Sequence, residues 1–158
     1  MLFRSVPGLH LMAELVGSRD SNLRLVERSF PGTDVSVRGN VIHLEGDDSQ
    51  LVGRLFEELV SLIERGETLD APVVERSIDM VRSDQSPTAV LTDEVVRGPR
   101  GRSIKPKTAG QKRYVDAIRE NVITFGIGPA GTGKSWLAVA MAVQALQAKQ
   151  VQRIILTR

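Results

Sequence analysis

The 158 residues contain no cysteine. That excludes disulfides, thiolate zinc sites and thiol catalysis, and it suits a cytoplasmic setting. There are two histidines, His10 and His43, far apart and without a carboxylate cluster beside either. They give no basis for a metal site made of protein ligands alone. No apolar run approaches the length of a membrane span, and the N-terminus lacks the apolar core and small-residue site of a signal peptide. Acidic residues are absent after Ser135.

What is present is unevenly charged. Residues 1–70 carry 7 basic and 12 acidic side chains, residues 71–96 carry 2 and 5, and residues 97–158 carry 12 and 2. A polyanion should meet the last third first.

Periodicity gives a helix over residues 22–30, capped by Ser21 or Asn22 and stopped at Pro31-Gly32. Two short runs, 34–38 and 41–45, joined by Gly39-Asn40, read as a β-hairpin. An amphipathic helix from Leu51 to Arg65 follows, capped near Asp48 and ended by Gly66. This α-β-β-α order predicts a small α+β domain, with residues 9–16 as a further edge strand. A weaker helix runs from Pro72 to about Arg82, and residues 90–96 look strand-like. The turn around Arg97–Arg102 makes a second hairpin or an ordered linker with a basic tip. Residues 109–120 are helical. Residues 122–127 read as a continuous buried strand, 134–148 as an Ala-rich helix, and 151–157 as another buried strand. The expected division is a small domain over 1–70, a helix and basic hairpin or linker over 71–105, and the start of an α/β P-loop domain over 106–158.

Gly128-Pro129-Ala130-Gly131-Thr132-Gly133-Lys134-Ser135 fits the phosphate-loop pattern G-x-x-x-x-G-K-[ST] in full, in the required strand–loop–helix context. Glycines let backbone N–H groups curl inward as an anion nest. The helix N-terminus adds partial positive charge. Lys134 can reach the β- and γ-phosphates, and Ser135 offers a hydroxyl to Mg²⁺. The expectation is therefore ATP with Mg²⁺. Trp136 reads as a core or interface residue rather than a base-stacking platform.

Hydrolysis needs more than this loop: an acidic strand-end residue for Mg²⁺, a group that positions water, and an arginine finger. No such carboxylate follows Ser135 here, and the expected parallel sheet has only two strands with uncovered faces. The sequence is thus expected to be the first part of a longer ATPase. By itself it should bind nucleotide weakly and hydrolyse it negligibly.

Several stretches together resemble the phosphate-starvation-inducible, PhoH-like bacterial ATPases. They are 22–27 (NLRLVE), 37–40 (VRGN), 105–111 (KPKTAGQ), 123–134 (ITFGIGPAGTGK) and 154–158 (IILTR). The resemblance implies a KH-like N-terminal domain before an ATPase similar to superfamily 1 helicases. It also implies a cytoplasmic protein that forms ring oligomers and is linked to RNA metabolism. Helicase-like relatives read adenine with a glutamine upstream of the phosphate loop. The resemblance implies that role for Gln111, with Tyr114 as a stacking partner; the alternative for Gln111 is a solvated helix-start residue.

KH modules hold nucleic acid with a G-x-x-G loop. The nearest match in residues 18–70, Pro31-Gly32-Thr33-Asp34, lacks the second glycine, and the segment's negative charge opposes phosphate. A docking or oligomerisation role is the favoured reading there. The RNA candidates are Arg97, Arg100, Arg102, Lys105 and Lys107, continued by Lys112 and Arg113, with a solvated basic linker as the alternative. Three functional classes follow: an RNA-coupled ATPase, a nucleotide-dependent assembly protein, and a small-molecule kinase.

Overall fold

The computed structural model describes residues 2–98 and 101–157. The chain forms two compact units, Met1–Thr92 and Asp93–Arg158.

The first unit opens with β1 (Leu2–Ser5), α1 (Leu9–Val16), a 3-10 turn (Ser18–Asp20) and α2 (Ser21–Ser29). The hairpin β2 (Thr33–Arg38) and β3 (Val41–Gly46) follows, then α3 (Ser49–Glu64), α4 (Ala71–Arg82) and α5 (Pro87–Leu91). Period-2 alternation puts Val35, Ile42 and Leu44 on one face of the hairpin, where all three are buried. β1 pairs antiparallel with β3, Leu2 opposite Leu44 and Phe3 opposite His43, so the sheet order is β1-β3-β2. Helix α3 lies against this sheet. Its apolar stripe Val52, Leu55, Phe56, Leu59 and Leu62 is almost wholly removed from solvent. Glu58 of α3 fastens the start of α5, accepting from the Thr88 N–H at 2.9 Å and the Ser86 hydroxyl at 3.0 Å.

Two expectations are corrected in this unit. Residues 9–16 form helix α1, not an edge strand; Leu11, Met12 and Leu15 recur at helical spacing and are buried. The edge strand is β1, seven residues earlier. Of residues 90–96, only Val96 enters a strand. Ser86 accepts from the Ala89 N–H and Pro87 opens α5, so the chain turns helical up to Leu91.

The second unit holds β4 (Val96–Arg97) and β5 (Ser103–Ile104), an antiparallel pair, then α6 (Ala109–Glu120) and α7 (Lys134–Gln147). Val95, Val96, Val115, Leu137, Ala140 and Met141 form its core. Residues 122–127 and 151–157 are irregular here, not the two buried parallel strands expected. Val122, Ile123, Phe125 and Ile127 are exposed, as are Ile155 and Leu156. A strand is defined by the partner that takes its N–H and C=O groups. Among the described residues no strand lies beside either run, so the apolar signal has nothing to pair with. Both units together make a mixed α/β chain with small antiparallel sheets.

Candidate phosphate-binding site

α7 starts at Lys134 because Gly133, its N-cap, holds φ at +85°, and Gly131 holds +76°. A side chain is strained at either angle. At Gly133 a Cβ would also come within 3.0 Å of the Gln111 side-chain nitrogen. The loop between them is closed on its own lysine. Lys134 Nζ donates to the carbonyl oxygens of Gly128 (2.9 Å) and Pro129 (2.5 Å) and to Thr132 Oγ1 (3.2 Å). Thr132 Oγ1 in turn donates to the Pro129 carbonyl at 3.0 Å. The ammonium's three donors are each met by a neutral oxygen, and among the described residues no carboxylate competes for them.

The adjoining wall comes from α6. Thr108 caps that helix, accepting from the Gln111 N–H at 3.2 Å. The Gln111 side chain bridges two segments: its Oε1 accepts from the Lys107 N–H at 2.7 Å and its Nε2 donates to the Thr132 carbonyl at 3.1 Å. Tyr114 lies over Gly126, where a Cβ would meet its ring at 3.0–3.2 Å. Gln111, Tyr114, Gly126, Pro129, Thr132 and Lys134 line one cavity of about 360 Å³, within the size range of small-ligand sites. Ser135 is exposed, as is Trp136 at 65%, which excludes the core position expected for it as one of two readings.

Thr108 and Gln111 have the spacing of a capping box, Ser/Thr followed three residues later by Glu/Gln. That pattern could have located the Thr108 cap in the sequence. The tie from Gln111 to Thr132 spans 21 residues and had no local signal.

The expected Mg²⁺ was tested against the donors present. Among the described residues no group of three His, Cys, Asp or Glu side chains could hold a metal. Ser135 supplies a single hydroxyl. That donor set fits an ion that takes its other ligands from phosphate and water, as Mg²⁺ does, and does not fit a metal caged by protein alone.

The basic stretch is partly spoken for. Arg97 pairs with Glu94 through two hydrogen bonds of 3.1 and 3.2 Å, and Ser103 donates to the same carboxylate at 2.6 Å. The Arg97 bond, with that of Ser103 second, holds Glu94 below the usual carboxylate range. Arg102, at the start of β5's approach, is exposed, and Lys105 and Lys107 follow. Arg100 lies outside the described residues. Lys112 contacts Asp93 (3.3 Å) and Asp116 (2.5 Å), while Arg119 grips Asp93 with both terminal nitrogens at 2.8 and 2.9 Å. Burial pushes the Asp93 carboxyl up, but the Arg119 and Lys112 bonds and charges outweigh it and hold it below its ordinary value. Sequence reading missed this network, because Asp93 sits 26 residues from Arg119.

Comparison with known proteins fits the loop into a family. The PhoH-like protein family matches residues 103–158. A PhoH-like protein of Mycobacterium tuberculosis is 50% identical over 152 residues, covering 94% of this chain and 43% of that protein. One from Bacillus subtilis is 38% identical over 148 residues, with 91% and 46% covered. Protein PhoH of Escherichia coli is 42% identical over 55 residues, 35% of this chain and 16% of that protein. No solved structure matches. The chain therefore spans less than half the length of the PhoH-like relatives it matches, and with half of its residues shared across nearly all of its own length it belongs to the PhoH-like family.

Proposed function

We propose that this chain binds the triphosphate of ATP, with Mg²⁺, on the loop Gly128–Ser135. The observation that carries the reading is the Lys134 ammonium, closed onto the Gly128 and Pro129 carbonyls. A phosphate oxygen carries full charge, and hydrogen bonds between ionised partners are roughly twice as strong as neutral ones. Phosphate would therefore take the ammonium from those carbonyls and leave the loop N–H groups facing it. Ser135 would hold Mg²⁺ through its hydroxyl, and the ion would supply positive charge against the phosphates. The base would enter the cavity wall at Gln111 and Tyr114. Gln111 would then exchange its bonds to Lys107 and Thr132 for adenine.

Within the family reading, the chain works as part of an RNA-associated, helicase-like ATPase that assembles as a ring. The three-stranded sheet with α1, α2 and α3 supports a KH-like character for the first unit. The exposed Arg102 and the lysines 105 and 107 are the first candidates for RNA contact. The test of the phosphate reading is displacement of a fluorescent ATP analogue. ATP and ADP should displace it, and AMP should not; equal displacement by AMP would contradict a phosphate-led site.

A further inference from the structure

The first unit is the acidic one, yet its cations are not scattered. Of nine basic residues among fifteen acidic ones over residues 1–92, three line a single groove. Arg19, Arg24 and Arg28 meet there with Ser18, Ser21 and Leu25, around a cavity of about 330 Å³ closed by Ala71. No acid lines it, although Asp20 and Glu27 lie between the arginines in sequence. Of the other arginines of this unit, Arg4 pairs with Glu57, Arg54 with Asp84, and Arg82 with the Ser29 carbonyl and the Phe30 ring, whereas Arg38, Arg65 and Arg76 make no ion pair among the described residues and lie outside the groove. Arg19, Arg24 and Arg28 are exposed and have no ion pair among the described residues. The turn that carries the first of them is itself strained, since Arg19 and Asp20 hold φ at +53° and +59°, a region uncommon for residues with a Cβ.

We propose that this groove holds the phosphodiester backbone of a single-stranded nucleic acid. Unpaired guanidinium groups are suited to phosphate, because their planar fork donates two parallel bonds to its oxygens. Arg24 and Arg28 lie one turn apart on α2, about 6 Å along its axis, so they can take successive phosphates of an extended strand. Arg19 extends the row at the helix start. The hydroxyls of Ser18 and Ser21 add neutral donors, and Leu25 offers an apolar surface to a sugar or base. The net negative charge of the surrounding unit weakens polyanion binding throughout it, so contact is favoured only where the three guanidinium groups reverse the local sign. The proposal sharpens the RNA part of the reading above and rests on it, but not on the ATP site.

The experiment is fluorescence anisotropy of a labelled single-stranded RNA with the whole chain, without nucleotide, over a series of salt concentrations. The Arg24→Glu/Arg28→Glu variant should bind at least about tenfold more weakly. Its salt slope should fall by about 1.4, at roughly 0.7 for each lost phosphate contact. Arg24→Lys/Arg28→Lys keeps the charge and should recover most of the affinity, while circular dichroism confirms that both variants fold. Wild-type binding that the charge reversal leaves intact, but that Arg102→Glu/Lys107→Glu abolishes, overturns the groove and leaves the RNA reading standing. Absence of wild-type binding to any single strand overturns both. Equal competition by a polyglutamate peptide or by inorganic phosphate would also overturn the proposal, because neither carries a nucleic-acid backbone.

Discussion

In residues 2–92 the apolar stripe of α3 meets a three-stranded sheet and three further helices, and Leu55, Leu59 and Leu62 are fully withdrawn from water. In residues 93–157 the apolar run 122–127 lies open, with Phe125 at 84% and Ile127 at 96% exposure. The two segments are equally hydrophobic to the eye. They differ in what the chain places beside them: the first has strands and helices to cover it, and the second has no strand neighbour among the described residues. Hydrophobic pattern announces a demand for burial, while the fold decides whether the demand is met.

That contrast can be broken most directly by truncation. Leu59→Ala should destabilise the first unit by about 3 kcal/mol, within the range for a buried leucine. Phe125→Ala should change stability by no more than about 0.5 kcal/mol, as for exposed positions. Chemical denaturation of both variants checks the pair. A loss at Phe125 as large as that at Leu59 would show that run 122–127 is covered in solution.

A second difference is electrostatic. The second unit relies on Asp93, which ties Lys112 and Arg119 of α6 to the start of that unit. Asp93→Asn should cost about 2 kcal/mol, between the values for exposed and buried pairs. The wild-type carboxyl titrates below its ordinary value of about 3.9. Its stabilisation is therefore full at neutral pH and is lost as pH falls through the acid range below that value. The gap between the thermal melts of wild type and variant should be widest at pH 7 and narrow as pH falls into the acid range. A gap independent of pH would remove the charge from the explanation.

The smallest effect is expected at Gln111. Gln111→Ala should reduce a preference for ATP over GTP by about threefold, the worth of one modest hydrogen bond. Competition binding with the two nucleotides reads it. An unchanged preference would leave Gln111 only as the tie between α6 and the phosphate loop.

Local signals carried much of this structure. The Gly39-Asn40 joint marks the β2–β3 hairpin, the stripe from Val52 to Leu62 marks α3, and the glycine-rich pattern before Lys134 marks the start of α7. Each depends on residues a few positions apart. Where the outcome depends on distant partners, the sequence reading failed. The runs at 122–127 and 151–157 have strand composition without a strand neighbour. Residues 9–16 have enough apolar content for a strand, but Leu11, Met12 and Leu15 are buried as one helical face. The site divides the same way. The loop Gly128–Ser135 was legible as a contiguous motif. The Gln111–Thr132 bond and the Asp93 network join residues that only folding brings together.

The central claim is that Lys134 is held for phosphate. Isothermal titration of Mg-ATP into the chain and into its Lys134→Ala variant tests it most directly. One site per chain, weakened at least about tenfold by the substitution, is the predicted result. Equal affinity for Mg-ATP in the two proteins, or no binding to the wild type, would contradict it.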